Sequence, residues 1–301
     1  MMWVMEQGRS DINACWKLGG MGCVELVRRV AKQFKADRVA SQSAQVSYYF
    51  FFAIFPLLLS LTALFGFFAE PGTFLHKAIL NYLGAVLPNA ASTMIDSELT
   101  QVSRHSTAGK LSFGLLIAIW SASSGMSAII DSLNISYDCK NRRPWWRQKL
   151  LAIALTGVVS LFMILAMALV MYGGTFAVGL AHRFGLGHPF AVLWQIAQWP
   201  ILLASLTAGF SMIYYFAPNI RHDHWHWLMP GTVVGVVLWV AASLGFRWYL
   251  TFFNHYSVAY GSIGAIIVLL LWFYLSGLAL LVGGEVNSTI ERALGKADAL
   301  A

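Results

Sequence analysis

Polar side chains crowd one apolar stretch of this chain: Ser121, Ser123, Ser124, Ser127, Asp131 and Asn134 are the densest set between residues 111 and 134. In hydrocarbon each is costly unless it finds a partner or water. On a helix Ser124, Ser127, Asp131 and Asn134 follow one another at +3, +7 and +10, which makes a single polar stripe. The stripe is expected to face a bundle interior or a watery cavity. There it either glues helices together by hydrogen bonds or lines a path for a substrate or proton. Asp131 and Glu285 stand near matching ends of their apolar runs. Each either pairs with an arginine such as Arg142 or Arg143, or titrates and couples transport to protons. Tyr260-Gly-Ser-Ile-Gly264 opens the last apolar run, with Gly261 and Gly264 where backbone can bend or approach a ligand. His222, His224 and His226 alternate around Asp223 and Trp225. They are a weak metal candidate, because a short loop supplies no complete ligand set, and a wet interfacial loop anchored by tryptophan is the favoured reading. The chain has no Gly-x-x-x-x-Gly-Lys-Ser/Thr loop and no Gly-x-Ser-x-Gly elbow. Neither an ATP-driven pump within this chain nor an enzyme has a sequence anchor, and no cofactor is expected.

The elements that must position these groups follow from composition. Of 301 residues 58% are hydrophobic and 11% charged, with a mean hydropathy of +0.65. Soluble domains carry about a quarter charged residues. No Asp, Glu, Lys or Arg falls between Arg38 and Glu70, Lys149 and Arg183, Arg183 and Arg221, or Arg247 and Glu285. Such gaps exceed the ~20 residues that cross a bilayer as a helix. A soluble enzyme, a nucleic-acid-binding domain and a disordered chain all fit poorly. Six spans are expected, near Val46–Phe68, Leu111–Asn134, Leu150–Tyr172, Phe190–Phe216, Met229–Leu250 and Ser262–Gly284. Runs this long exclude the short alternating strands of a barrel, so the fold class is all-α, a polytopic helix bundle. Pro200 should kink the fourth span. Gly231 and Gly235 permit close helix approach, as do Ala241 and Gly245.

Loop charge sets the orientation. Fifteen Lys and Arg fall on the side of the termini and five (Lys77, Arg104, Lys110, Arg183 and Arg247) on the other. By the positive-inside rule both termini are cytoplasmic, and the net charge of +7 is mostly a topology signal rather than a nucleic-acid footprint. Arg247 can snorkel to the outer interface. Cys15, Cys23 and Cys139 fall on the cytoplasmic side, without Cys-x-x-Cys spacing, and read as reduced thiols. The first forty residues hold no signal-peptide pattern, so the first span is expected to stay as an anchor.

Three regions are expected: a flexible tail over 1–23, a membrane domain over 24–292 and a short cytoplasmic tail over 293–301. Val24 to Arg38 reads as an amphipathic helix. Val27, Val30, Ala31 and Phe34 recur at helical spacing, with Arg28, Arg29, Lys32 and Lys35 on the other faces. It should lie on the inner leaflet. The outer loop 69–110 is long enough to cap or gate the bundle. Within it Leu75, Ala78, Ile79, Tyr82, Leu83 and Val86 predict an amphipathic helix before Pro88, followed by a second over Ala91–Val102.

Three blocks resemble the YihY/BrkB family of bacterial inner-membrane proteins. They are Ala44-Gln-Val-Ser-Tyr-Tyr through Phe55-Pro56-Leu-Leu-Leu; Trp120 through Asp131 to Asn134 with Tyr137 and Arg142-Arg-Pro-Trp-Trp-Arg147; and Tyr260-Gly-Ser-Ile-Gly264 through Leu271-Trp-Phe-Tyr-Leu to Gly284-Glu285-Val-Asn287. The resemblance covers roughly residues 25 to 292 and implies six spans with both ends cytoplasmic. It marks Trp120, Ser123, Gly125, Asp131, Asn134, Tyr137, Tyr260, Gly261, Gly264, Glu285 and Asn287 as family-pattern positions without giving their roles. The family once carried a ribonuclease BN label regarded as a misassignment. Some members are linked to serum resistance, others to export of lipid or lipopolysaccharide precursors.

The expected function is an inner-membrane transporter or flippase-like exporter of an anionic amphiphile, a lipid or envelope precursor. Arg28, Arg29, Arg142, Arg143 and Arg147 would gather its headgroup. Ser124, Ser127, Asp131, Asn134, Tyr260, Gly261, Gly264, Glu285 and Asn287 would line its path. The expected partners are anionic membrane lipids and no nucleic acid, with self-association left open. The alternative is an envelope scaffold that conducts nothing. A ribonuclease is remote, because the His222–His226 loop lacks the ligands for phosphodiester hydrolysis.

Overall fold

The computed structural model describes the backbone over residues 18–68, 108–139, 143–184, 187–220, 229–252 and 256–294, and side chains over most of these. The two tails beyond residues 18 and 294, most of the outer loop 69–110, Cys15, Arg142 and the His222–His226 cluster lie outside the described residues. A 3-10 turn at Leu18–Gly20 precedes seven helices among the described residues. They are α1 (Cys23–Ala36), α2 (Val39–Phe68), α3 (Ala108–Ser136), α4 (Trp145–Phe184), α5 (Gly187–Phe216), α6 (Pro230–Phe252) and α7 (Tyr256–Ala293).

Where apolar runs meet lipid, the backbone must satisfy its own N–H and C=O groups, and helices result. Among the described residues five helices are long and apolar enough to cross a membrane, over Leu116–Ser136, Trp145–Val170, Ile196–Phe216, Pro230–Thr251 and Ile266–Ala293. These correspond to the second to sixth expected spans. The first, Val46–Phe68, falls within α2, whose side chains are described only as far as residue 58. The last span runs beyond its expected end at Gly284: the helix continues through Glu285, Glu291 and Arg292. Gly283 and Gly284 lie inside the helix, where they are contact points for neighbouring helices. Pro200 lies within α5 and Pro56 within α2, so each removes one backbone bond without stopping its helix.

The chain divides into two compact units, one of residues 49–125 and one of residues 1–48 with 126–301. In the first, Gly125 on α3 lets the Phe50 ring of α2 lie against the backbone, where an added Cβ would stand 2.6 Å from ring carbons. Phe51 meets Phe52 and Phe55 edge-on on the same helix.

In the second unit α1 packs on α7, α7 on α6, α6 on α5 and α5 on α4. Its core holds Val39 and Val46 from α2, Ile130 and Leu133 from α3, Ala152 from α4, and Leu281 and Ile290 from α7, all nearly inaccessible. Leu161, Met163, Ile164, Leu165 and Met167 on α4 are exposed, a surface suited to hydrocarbon rather than water.

The α5–α6–α7 junction depends on missing side chains. Gly231 and Gly283 touch backbone to backbone, and the Tyr214 hydroxyl, wedged against Gly235 and Gly283, donates to the Leu280 carbonyl at 2.6 Å. The expected close approach at Gly231 and Gly235 is therefore present. At Gly245 an added Cβ would meet nothing within 4 Å, and both Ala241 and Gly245 are exposed. The second small-residue pair therefore lies on an exposed face of α6.

Candidate functional site

Among the described residues, buried polar groups concentrate where α1 ends, α2 begins, α3 ends and α7 passes. Two tight chain reversals build it. Between α1 and α2 the backbone turns through Asp37 and a left-handed Arg38 (φ 52°), while Gln42 donates to the Asp37 carbonyl at 2.5 Å. At the end of α3, Asp138 is left-handed (φ 55°). Its N–H returns to the Ile135 carbonyl at 2.9 Å, and the Cys139 N–H returns to that of Asn134 at 2.8 Å. This is a Schellman closure, which satisfies the last carbonyls of the helix and folds Tyr137 back into the core. On α7, Glu285, Ser288 and Arg292 follow at +3 and +7, one face of the helix.

These pieces meet around Glu285, which is fully buried. Ser136 donates to Glu285 Oε1 at 2.7 Å, and the Asp37 carboxyl lies in hydrogen-bonding contact with Glu285. Arg292 donates to the Ser136 carbonyl, and the Gln33 amide, with its oxygen turned to α7, accepts from the same guanidinium. Burial pushes the Asp37 carboxyl up from its ordinary value, against the pull of Arg292. Tyr137 is fully enclosed, and burial, with Glu291 and Glu285 nearby, pushes its phenol well above the ordinary range. Burial also pushes up the Cys139 thiol and leaves it a poor nucleophile.

Asparagines brace the periphery. Asn134 Oδ1 accepts from the Asn219 N–H at 2.8 Å and secures the segment after α5. Asn287 Oδ1 accepts from the Gly231 N–H at 2.8 Å and fills one open donor in the first turn of α6. Both amide nitrogens are buried and have no hydrogen-bond partner, as do the Tyr137 hydroxyl and Arg292 Nε.

The structure thus brings Glu285, Asn287 and Asn134 to one end of the bundle. Asp131 stays out of this cluster: it is exposed and accepts from Gln148 Nε2 at 2.7 Å across the α3–α4 turn. Ser124 and Ser127 are half-buried. The polar residues that α3 turns fully inward are Ser123, Ser132, Asn134 and Ser136. The Ser123 and Ser124 hydroxyls donate to the Trp120 carbonyl, and Ser132 to that of Ala128, so these three are satisfied within their own helix. Gly264 is buried in α7; Tyr260 and Gly261 lie in the same helix at positions whose side chains lie outside the described residues.

Among the expected headgroup ligands, Arg28, Arg29 and Arg147 are exposed. Arg29 pairs with Glu25 at 2.5 Å, and the Arg147 guanidinium stacks over Trp146 at 5.0 Å. Arg143 is differently placed: it donates to the carbonyls of Phe216, Ala217 and Pro218 at 3.4, 3.1 and 3.1 Å, closing the end of α5.

The amphipathic helix α1 carries two apolar stripes. Leu26, Val30 and Phe34 are half-buried on the side that packs on α7, while Val24, Val27 and Ala31, at +3 and +7, stay exposed. No residue of α1 is buried. Trp145 and Trp146 are likewise exposed at the start of α4. At the other end of α6 an open groove of about 760 Å³ is walled by Phe246, Leu250, Val268, Leu269 and Trp272 and holds Arg247.

Asp37, Ser136, Arg292 and Tyr214 belong to this architecture, and the chemistry-bearing residue types did not single them out. One signal was available for Asp37: it is an acid placed between basic neighbours at the edge of a long charge-free tract.

A family model described as virulence factor BrkB matches residues 30–300. A Bacillus subtilis (strain 168) protein named "Putative ribonuclease-like protein YfkH" is 32% identical over 269 residues, covering 89% of this chain and 96% of that protein. A UPF0761 membrane protein of Alkalilimnicola ehrlichii is 27% identical over 268 residues, 87% of this chain and 57% of the relative. The UPF0761 membrane protein VV0203 of Vibrio vulnificus is 24% identical over 275 residues, 89% and 82% respectively. No solved structure matches the chain.

Proposed function

The chain belongs to the virulence factor BrkB family of membrane proteins, and from that premise we propose that it exports an anionic amphiphile, a lipid or envelope precursor, across the bacterial inner membrane. Both termini lie in the cytoplasm in this reading, supported by the fifteen-to-five division of Lys and Arg. The observation that carries the reading is the open face of α1. Val24, Val27 and Ala31 are exposed beside exposed Arg28, Arg29, Lys32 and Lys35. An apolar stripe flanked by guanidinium and ammonium groups suits a molecule with acyl chains and an anionic head. Each cation near an anionic surface contributes about 1 kcal/mol. Trp145, Trp146 and Arg147 extend the same chemistry at the start of α4. In this account buried Glu285, Asn287 and Asn134 hold together the end of the bundle next to α1, where the amphiphile is gathered.

Reconstitution tests the proposal. Vesicles of phosphatidylcholine carrying a fluorescent anionic phospholipid should equilibrate that lipid between leaflets faster with the protein than without it. Reversing two cations in Arg28→Glu/Lys32→Glu should slow this by roughly tenfold or more, while a zwitterionic reporter is moved poorly by both proteins. Wild-type protein that does not accelerate the anionic reporter contradicts transport.

That result would favour the second reading, a scaffold that conducts nothing. One observation supports it: the Ser123, Ser124 and Ser132 hydroxyls are satisfied within α3 and need no watery path.

A further inference from the structure

Two oxygen atoms of the buried cluster pose a problem that a single hydrogen atom solves. Asp37 Oδ2 and Glu285 Oε2 are both buried and neither has a hydrogen-bond donor. Glu285 Oε1 is already served by Ser136, and the two carboxyls are in contact. Ionised carboxylates only accept, so two of them facing each other leave both inner oxygens unsatisfied and repel. A protonated carboxyl gains an O–H and donates to its neighbour. We propose that Asp37 and Glu285 form a proton-binding site, one proton held between the two carboxyls, that latches the α1–α2 junction onto α7.

The surrounding charges support one proton rather than none or two. Arg292 from α7 is the cation that faces the pair, and Gln33 from α1 holds its guanidinium. With one shared proton the trio of Asp37, Glu285 and Arg292 is one carboxylate, one carboxylic acid and one guanidinium, hence neutral. With none it carries an uncompensated negative charge, and Asp138, from the turn after α3, adds another nearby. With two protons Arg292 loses its counter-charge. The Ser136 hydroxyl from α3 cannot mediate between the carboxyls, since its proton is committed to Glu285 Oε1. Tyr137 supplies an independent sign. Its hydroxyl is almost completely buried, has no hydrogen-bond partner and lies near Glu285, Glu291 and Cys139. A donor left idle beside carboxylates has a natural acceptor if the latch opens and Glu285 becomes ionised. From α2, Gln42 reaches the Asp37 backbone carbonyl, and from α1 Gln33 hydrogen-bonds the Asp37 carboxyl without serving its buried Oδ2.

The sign of the pH effect follows. The folded pair keeps a proton that the unfolded carboxyls release near their ordinary values of about 4. Its contribution is therefore fully present at low pH and is lost as pH rises through the pair's own apparent value. Loss of the proton sets two carboxylates against each other and frees α1, which carries the exposed basic face. The site does not depend on what cargo the protein moves.

The test uses the full chain in lipid nanodiscs, followed by infrared difference spectroscopy and hydrogen–deuterium exchange between about pH 5 and 9, a range above the ordinary carboxyl values. Wild type should show a protonated-carboxyl C=O stretch at the acid end that disappears on alkalinisation, with exchange of the 23–36 amides rising about tenfold or more beyond the intrinsic pH effect. Glu285→Gln keeps a donor towards Asp37. It should lack the band and hold 23–36 protected at alkaline pH. Asp37→Asn should also lack the band, so either variant serves if the other fails to fold. A wild-type spectrum without a protonated carboxyl overturns the proposal, and that measurement needs no variant. So does a band that survives in Glu285→Gln or Asp37→Asn, which would place the proton on another carboxyl.

Discussion

Adding one methyl group at Gly231 will unseat α6 from α7. The Cβ of Gly231→Ala would overlap the Gly283 carbonyl oxygen and Asn287 Oδ1. The first obstacle is backbone and cannot rotate away. The second is the acceptor for the Gly231 N–H, so moving it forfeits a buried bond. Overpacking costs ~1–3 kcal/mol and a lost buried hydrogen bond adds ~1–3 kcal/mol, so a destabilisation of about 2–6 kcal/mol is expected. That is a large share of the stability of an ordinary domain. It should appear as a strongly lowered melting temperature in detergent and reduced accumulation in the membrane. Gly245→Ala on the same helix is the control. Its Cβ meets open space, and alanine favours helix over glycine by ~1 kcal/mol, so it should melt at or above wild type. If Gly231→Ala melts with wild type, the α6–α7 contact is not as close as described.

Arg143→Ala gives the second large effect, and it separates two arginines that look alike in the sequence. Arg143 forks onto three consecutive carbonyls at the end of α5, where burial pushes the guanidinium down from its ordinary value without removing its charge. Carbonyls at a helix end lack the intrahelical donor that mid-helix carbonyls have, and Arg143 supplies one here. Charged hydrogen bonds contribute ~1.5–3 kcal/mol. Discounted for partial exposure, the loss should be about 1–3 kcal/mol, read as a lowered melting temperature. Arg143→Lys should recover only part of it, because an ammonium cannot fork. Arg147→Ala, which loses an exposed stack on Trp146, should leave the melting temperature nearly unchanged. Equal melting of the two alanine variants would contradict the assignment of Arg143 as a strut.

Arg142-Arg-Pro-Trp-Trp-Arg147 shows why part of the site stayed hidden in the sequence. A basic run announces topology and an affinity for anions, but not which member of the run turns back to brace a neighbouring helix. The second to sixth spans were legible because crossing a bilayer demands about 20 apolar residues whatever the tertiary contacts. The amphipathic character of Val24–Arg38 was legible for a similar reason, since its period is local. Helix rotation was not. Ser124, Ser127, Asp131 and Asn134 do share a stripe, yet the contact of Leu133 with Gly284 turns Asn134 into the core and leaves Asp131 at the surface beside Gln148. Spacing of small residues was informative at Gly231 and Gly235 and uninformative at Ala241 and Gly245. Period places residues on a common face without saying what that face meets. Asp37 and Glu285 are 248 positions apart, and only the folded chain brings them together.

The central claim, that the exposed basic and apolar face of α1 recognises an anionic amphiphile, is tested most directly by lipid-resolved mass spectrometry. Protein would be purified gently from its native membrane, as wild type and as Arg28→Ala/Lys32→Ala. The account predicts a distinct anionic lipid or precursor enriched on wild type and lost from the variant at equal protein recovery. Lipid of bulk membrane composition on both proteins would contradict it.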